Sequence, residues 1–278
     1  MRRWRLNSGY CGTTDQRRTK AGTIPALKHY IERDLGFFST GWTPEQISTV
    51  VWLDASNTLS ITLSGTSVTQ WNDISGNNRN VSQSTGLNQP TYSATGFNGY
   101  PTISFDGSND SLSFGGGGVA QSSGQNVFAV IDTTNIGTGY RIFMNRSNGS
   151  APAFYLATAA NNYRPLVYWG ADRATWGSAI QTRAIFRWAI YTSPSTSTLV
   201  QVNGNTAVTA SSATSTLANW TDINNSSVQQ SNISISEIVI TASDLATDAR
   251  QQMEGYLAWK WGLQGSLPAG HPYISAAP

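Results

Sequence analysis

Aromatic and charged side chains between residues 163 and 176 form a group that could bind a sugar. A pyranose ring packs its C–H groups on an aromatic face, while Asp and Arg side chains bind its hydroxyls. The residues that we predict to contact a glycan are Tyr163, Tyr168, Trp169, Asp172, Arg173 and Trp176. Tryptophans in regular strand or helix patterns, such as Trp52 and Trp188, are expected to fill the core instead.

Acidic residues and histidines offer little support for catalysis. Hydrolysis of a glycosidic bond needs two carboxyl groups that flank it. The acidic residues are scattered singly, and Glu237 in a strong strand pattern has no acidic neighbour at alternating positions. His29 and His271 have no matched Ser or Cys motif, which argues against a nucleophilic triad. We therefore expect no catalytic residues and no enzyme.

The segment Asp106-Gly-Ser-Asn-Asp110, with Asp54 and Asp73 upstream, could offer oxygen ligands to calcium. The same residue types are common in turns, because Asp and Asn side chains bind nearby backbone N–H groups. We expect no metal and no other cofactor, and calcium stays open as an alternative.

The first forty residues differ in charge from the rest of the chain. They contain eight basic and three acidic residues, whereas the remainder contains nine basic and twelve acidic residues. A short helix with one apolar face is predicted over residues 23–36. We predict an anchoring arm over residues 1–42, with the following partner-binding residues: Arg2, Arg3, Arg5, Arg17, Arg18, Leu27, Tyr30, Ile31 and Leu35. A disordered tail is the alternative, and nucleic acid is not the expected partner.

A single cysteine, Cys11, excludes a disulfide framework within the chain and leaves a bond between chains open. The N-terminus lacks the apolar stretch of a signal peptide, and no run of about 18 apolar residues occurs. We expect a protein that is assembled in a cytoplasm and does not insert into a membrane.

Short β-branched and aromatic segments between turn residues predict an all-β fold for residues 43–278. Asn203-Gly204 between two such segments is a strong hairpin signal. One helix is predicted, from Ala246 to Trp261. The predicted strands are Val50–Asp54, Pro101–Asp106, Asn126–Asp132, Arg141–Asn145, Ala153–Ala157, Leu166–Trp169, Ala184–Tyr191, Thr198–Val202 and Ile233–Ile240.

Two blocks of sequence resemble a known family. Residues 71–80, 89–92 and 99–112 resemble the opening of concanavalin A-like lectin/glucanase domains of the laminin-G type. Residues 254–273 resemble a C-terminal signature that accompanies such domains in bacteriophage and bacterial surface proteins. The resemblance implies a two-sheet antiparallel jelly-roll sandwich that binds sugar or protein. The glucanase branch carries a Glu-x-Asp-x-x-Glu-like run, which this chain lacks.

The arm and the resemblance together predict a non-enzymatic bacteriophage virion protein, namely a capsid decoration protein, head fibre or tail fibre component. The arm would bind other virion proteins, and the lectin-like domain would be displayed to bind cell-surface glycans. Repetition of weak contacts in a particle favours a homo-oligomer. The alternatives are a polysaccharide-degrading enzyme of the glucanase fold and a structural cement protein without a ligand.

Overall fold

The computed structural model describes residues 41–139, 141–146, 150–157, 163–169, 171–193, 195–211, 217–226 and 229–278. Residues Gly41–Pro278 form one compact unit. Residues 1–40 lie outside the described residues, and with them Cys11 and the whole predicted set Arg2, Arg3, Arg5, Arg17, Arg18, Leu27, Tyr30, Ile31 and Leu35. The anchoring role of that set stays a prediction.

The described chain is all-β, with antiparallel strand pairs throughout and one C-terminal α-helix. One run of paired strands lies under the helix, and we call it the helix-side run. It contains β1 (Thr49–Asp54), β6 (Tyr100–Asp106), β8 (Asn126–Asp132), β13 (Arg183–Tyr191), β14 (Ser197–Val202), β15 (Val208–Ser211) and β17 (Asn232–Thr241). The helix, α1, spans Thr247–Lys260.

The second run of paired strands, which we call the opposite run, consists mostly of shorter strands. It contains β2 (Ile61–Ser64), β3 (Ser67–Trp71), β4 (Val81–Ser82), β7 (Leu112–Phe114), β9 (Arg141–Arg146), β10 (Ser150–Ala157), β11 (Leu166–Tyr168), β12 (Asp172–Thr175) and β16 (Asp222–Ile223). Strand β5 (Thr91–Phe97) pairs with both β3 and β6 and so joins the two runs. At the other end, Ala174 N donates to Thr198 Oγ1, which gives the sheet a barrel-like closure.

The two runs face each other across an aromatic core. Trp188 of the helix-side run stacks on Phe143 and Phe154 of the opposite run, with ring centroids 5.1 and 5.4 Å apart. Phe186 stacks on Trp188 at 5.4 Å. Such pairs contribute about 0.5 to 1.5 kcal/mol each beyond the burial of their area. The strands under the helix are long and apolar because both of their faces are covered.

The sequence-based prediction of an all-β chain with one C-terminal helix is confirmed. Each predicted strand has a counterpart whose ends lie within three residues, and the helix begins and ends one residue inside its predicted bounds. Asn203 and Gly204 have φ values of +50° and +70°, the left-handed backbone that their turn requires. The two-residue strands β4 and β16 were not predicted, because so short a segment carries no period. No helix in the described part of the chain combines the length and apolar character that a membrane span requires.

A buried ionic cluster joins α1 to the helix-side run. Lys260 Nζ lies 2.8 Å from Asp54 Oδ2 and 2.8 Å from Glu237 Oε2, and only 6% of the Lys260 side chain is exposed. The indole N–H groups of Trp52 and Trp261 both donate to the Glu237 carboxylate. Tyr256 donates to it as well, at 3.0 Å. These donors are needed because a buried charge is stable only when it is fully paired.

Burial and charge oppose each other at Lys260. Burial by itself lowers the pKa of a lysine, but the carboxylates of Asp54 and Glu237 outweigh it and raise the pKa of Lys260. Burial raises the pKa of Glu237, whereas at Asp54 the attraction of Lys260 overcomes burial and lowers the pKa. The cation therefore persists across the neutral range and holds three elements together.

We expect Lys260→Met to lower the free energy of unfolding by about 3 to 5 kcal/mol, the cost of leaving buried charges without their partner. Guanidinium chloride denaturation followed by tryptophan fluorescence measures this loss. Adding Glu237→Gln to Lys260→Met removes one of the two buried carboxylates that have lost their cation, and it should recover part of the stability. A double variant no more stable than Lys260→Met would contradict the conclusion that Lys260 neutralises the buried carboxylate of Glu237.

Candidate functional site

A row of directly paired residues crosses the outer face of the opposite run. The strand register pairs Gln70 with Ser82, Ser82 with Ser113, and Ser113 with Asp222. It then continues through four more pairs, whose members are Asp222, Asn145, Ala153, Tyr168 and Asp172 in that order. Directly paired residues project from the same face of a sheet. We call these eight residues the polar row.

The row lies on the outer face because its sequence neighbours point inward. Trp71, Val81 and Phe114 belong to the main hydrophobic core, as do Met144 and Phe154. Side chains alternate between the two faces along a strand, so the residues next to them in sequence face away from the core. Seven strand spacings of about 4.8 Å give the row a length of roughly 34 Å. Its central members Asp222, Asn145 and Ala153 are buried, and the residues toward its two ends are more exposed.

Asp222 lies in the middle of the row and is held by three donors. Ser113 Oγ and Asn225 Nδ2 donate to its Oδ1 at 2.6 and 2.9 Å, and Thr221 Oγ1 donates to its Oδ2 at 2.6 Å. The residue is 5% exposed. These bonds fix the orientation of the carboxylate, which is the first requirement for a group that must meet a reacting atom.

Asn145 neighbours Asp222 and is incompletely hydrogen-bonded. Its Nδ2 donates to Asn225 O at 2.9 Å, which ties strand β9 to the residue that binds Asp222. Its Oδ1 is buried and has no hydrogen-bond partner among the described residues. A buried acceptor left unpaired costs about 1 to 3 kcal/mol. A hydroxyl group is the kind of donor that would complete it.

The other end of the row carries an aromatic side chain. Tyr168 is half-buried and meets Tyr155 edge to face, with ring centroids 5.8 Å apart. Tyr155 is fixed in turn, because its hydroxyl donates to Gln229 Oε1 at 2.8 Å. The row therefore joins hydrogen-bonding side chains near Asp222 to an aromatic ring near Asp172, the combination that saccharide sites use.

The six predicted glycan residues do not share one surface. Tyr168 and Asp172 belong to the polar row, and Arg173 follows directly with its Nε bonded to Trp169 O at 3.2 Å. Trp169 is 3% exposed and lies in the main core. Tyr163 and Trp176 are half-buried and pack against that core. Alternation along a hairpin divides its side chains between two faces, which is why neighbours in sequence are separated here.

The predicted calcium ligands are also separated. Asp54 binds Lys260, and Asp73 accepts the backbone N–H groups of Trp52 and Arg79. Asp106 Oδ1 accepts from the backbone of the two residues at 108 and 109, which is turn chemistry. Across the described ranges, no three His, Cys, Asp or Glu side chains group as metal ligands do.

Asp110 is a buried acidic residue near the turn that follows β6. Its Oδ2 accepts the backbone N–H of Asp106 at 2.9 Å, and its carbonyl accepts from Asn224 Nδ2 at 3.1 Å. Burial raises the pKa of Asp110 to about 6. Asn224 lies two residues after Asp222, so the backbone of Asp110 is bonded to the segment that carries the centre of the row, whereas its carboxyl group binds the backbone of Asp106.

One interior cavity in the described part of the chain is too small for a sugar. The cavity lined by Gln125, Phe154 and Trp220 measures about 10 Å³, which is close to the room that one water molecule needs. We therefore take the outer face of the opposite run as the candidate functional site.

Comparison with known proteins yields similarity at the level of the fold. No protein-family model matches the chain and no curated protein matches it. An arabinofuranosidase complexed with arabinofuranosyl-alpha-1,2-xylobiose has a similar structure, with a TM-score of 0.53 and 12% identity over 77% of this chain. A GH54 a-l-arabinofuranosidase has a TM-score of 0.50 and 11% identity over 79% of this chain. A Trypanosoma rangeli sialidase has a TM-score of 0.50 and 13% identity over 80%.

The chain spans only part of each of these proteins. It covers 60% and 61% of the two arabinofuranosidase chains and 36% of the sialidase chain. At such low identity the likeness establishes a shared fold. The activity of a whole enzyme is thus not transferred to this chain by the comparison alone.

The similarities correct the prediction of a non-enzymatic virion protein. The similar structures are two arabinofuranosidases and a sialidase, and they provide no support for a capsid or tail component. They agree with the expectation of carbohydrate binding. The prediction relied on the absence of neighbouring acids in the sequence, and that absence does not exclude an enzyme, because a sheet can bring together residues that are distant along the chain.

The raised pKa of Asp110 predicts a pH dependence of stability. Its pKa is about 6 in the folded chain, against an ordinary value of 3.8, so the folded state binds more protons between these values. Stability from this group is therefore present at pH 4 and lost as the pH rises through 6. We expect Asp110→Asn to flatten this decline in urea denaturation between pH 4 and 6.5. If the stability of the variant declined with pH as steeply as that of the wild type, the raised pKa of Asp110 would be contradicted.

Proposed function

We propose that this chain is a carbohydrate-active domain that binds a polysaccharide along the polar row and hydrolyses its glycosidic bonds. The observation that carries the proposal is the continuous row itself, with the oriented Asp222 carboxylate at its centre and Tyr168 toward one end. Its length suits a polymer, and its residue types suit hydroxyl groups and sugar rings.

We further propose that the two runs form a concanavalin A-like jelly-roll sandwich. The facing aromatic core and the antiparallel pairing support this arrangement. In that arrangement the polar row lies across one sheet of the sandwich. The resemblance of residues 71–80 and 99–112 to this family is consistent with the proposal.

Glycoside hydrolysis requires two carboxyl groups about 5 to 9.5 Å apart. Asp172 lies four strand spacings from Asp222, or roughly 19 Å, and is too distant to serve. We assign Asp222 as the nucleophile or base. We propose Asp110 as the acid because it lies three residues before Ser113, the strand partner of Asp222, and this role requires the two carboxyl groups to lie within that range. A pKa of about 6 keeps Asp110 protonated in mildly acidic solution, as a general acid must be.

The test measures the release of reducing ends from arabinoxylan, from sialylated glycans and from bacterial surface polysaccharide. We expect Asp222→Asn to lower the rate at least 100-fold on whichever polymer is cleaved, because a carboxylate in this role contributes about 10² to 10⁴. Asp248→Asn is the matched control, since Asp248 is exposed on α1 and should leave the rate unchanged.

The dependence of the rate on pH distinguishes the role of Asp110 from that of Asp222. We expect the rate to fall as the pH rises above about 6, the pKa of Asp110, because the acid is then deprotonated. Asp110→Asn should lose activity at every pH and keep saccharide binding. Absence of cleavage of all three polymers, or an Asp222→Asn variant as active as the wild type, would refute the proposed reaction.

A further inference from the structure

Strand β1 shows how this fold covers an edge of its sheet. Among the described strands, β1 pairs with β17 alone. A loop binds the backbone on its other side: Trp52 N donates to Asp73 Oδ1 at 2.8 Å. Asn77 Nδ2 donates to the carbonyls of Thr49 and Val50 at 2.9 and 3.2 Å. An edge strand whose backbone groups are occupied in this way is protected from pairing with another chain.

Strand β2 lies at another edge and lacks such a cover within the described ranges. It pairs there with β3 alone. Ser60 O accepts the backbone N–H that directly follows β3 at 2.7 Å, and Thr62 O accepts the Thr69 hydroxyl at 3.0 Å. Both carbonyls therefore point toward β3. The C=O and N–H of one peptide unit point in opposite directions, so the N–H groups of Ile61 and Leu63 point away from β3.

The side chains at this edge are exposed and uncharged. Leu63 is directly paired with the buried Val68 and so projects from the core side of the sheet, yet it is 40% exposed because no described strand lies beyond it. Leu59, just before β2, is 94% exposed. Residues 55–72 contain no charged residue. The edge thus lacks the charges with which edge strands usually prevent association.

We infer that β2 pairs with β2 of a second copy of this chain, antiparallel and with the two-fold axis at Thr62. In this register Ile61 lies opposite Leu63 of the second copy, and their outward N–H and C=O groups form four hydrogen bonds across the axis. A second copy fits because the same residues supply the donors and the acceptors of a symmetric pair. An uncharged edge also does not repel its own copy.

The same axis places the polar rows of the two copies end to end. Thr62 is directly paired with Gln70, which is the first member of the row and is paired in turn with Ser82. Directly paired residues project from the same face, so Thr62 extends the row to the edge of the sheet. In the dimer, Thr62 of one copy lies directly opposite Thr62 of the other, and the outer faces of the two opposite runs become continuous.

The first test is sedimentation velocity of the full chain with Cys11→Ser, which excludes disulfide bonds. We expect a dimer with a Kd on the order of 10 µM, because one short strand per copy gives an interface at the small end of specific interfaces. Thr62→Lys places two like charges directly opposite each other and should weaken association at least about fivefold. Thr209→Lys is the matched control, since Thr209 is an exposed threonine on β15, and it should leave association unchanged.

Mixing two variants identifies the partner. Thr62→Glu alone should weaken association as Thr62→Lys does. An equal mixture of the two variants should associate more tightly than either alone, because opposite charges then face each other. This recovery requires residue 62 to meet its own equivalent in another copy. Circular dichroism and thermal melting verify that each variant is folded.

Crosslinking tests the register. Directly opposite residues that exchange no hydrogen bonds have Cα atoms about 4.5 Å apart, a distance that a disulfide spans. In the Cys11→Ser chain, Thr62→Cys should form a disulfide-linked dimer with oxidised glutathione. Thr209→Cys should remain a monomer on a non-reducing gel.

The outcomes are decisive for the pairing of β2. A chain that stays monomeric well above the expected Kd overturns the inference. Association that Thr62→Lys leaves unchanged, or a mixture no tighter than its components, overturns it too and assigns the contact to another surface, such as residues 1–40. Crosslinking of Thr62→Cys no faster than that of Thr209→Cys overturns the register at Thr62. These measurements use no saccharide, so their failure is distinct from failure of the proposed function.

Discussion

Lys260 lies between Asp54 and Glu237 at a point that water barely reaches, and this cation joins the C-terminal helix to strands β1 and β17. Moving three charges out of water is costly, so the cluster is stable only while every charged atom keeps its partners. The indoles of Trp52 and Trp261 complete the set. Directional bonds of this kind constrain the orientation of the helix. Apolar contact alone is not directional and would constrain it less.

This attachment determines where a ligand can bind. Strand β17 carries Glu237 toward the helix and Ile238 and Ile240 into the main core. The helix-side strands are thus covered on both faces, by α1 on one and by the aromatic stack of Trp188 on the other. The opposite run packs its inward face in the core, and its outward face bears the polar row together with the buried cluster of Ile142, Ala153, Tyr155 and Leu166.

The same division explains how the chain uses its few charges. Glu237 and Asp54 neutralise Lys260 and so attach the helix to the strands, whereas Glu254 forms an ion pair with Arg250 within the helix. Asp222 is bound instead by neutral donors, which orient it and leave its charge uncompensated. A carboxylate of that kind is suited to act on a ligand, whereas an ion-paired carboxylate is suited to hold elements together.

The amino-acid sequence by itself determined the class of the fold, most strands of the helix-side run, the helix α1 and the turn at Asn203-Gly204. Those features are local, since they depend on residue periodicity and on the backbone preferences of single residues. Only the tertiary structure decided the polar row, because its members Ser113, Asn145 and Asp222 come from three short strands that are far apart in sequence. It also separated Trp169 from Tyr168, because adjacent residues of a strand point to opposite faces, and which face meets the core depends on the strands packed against it.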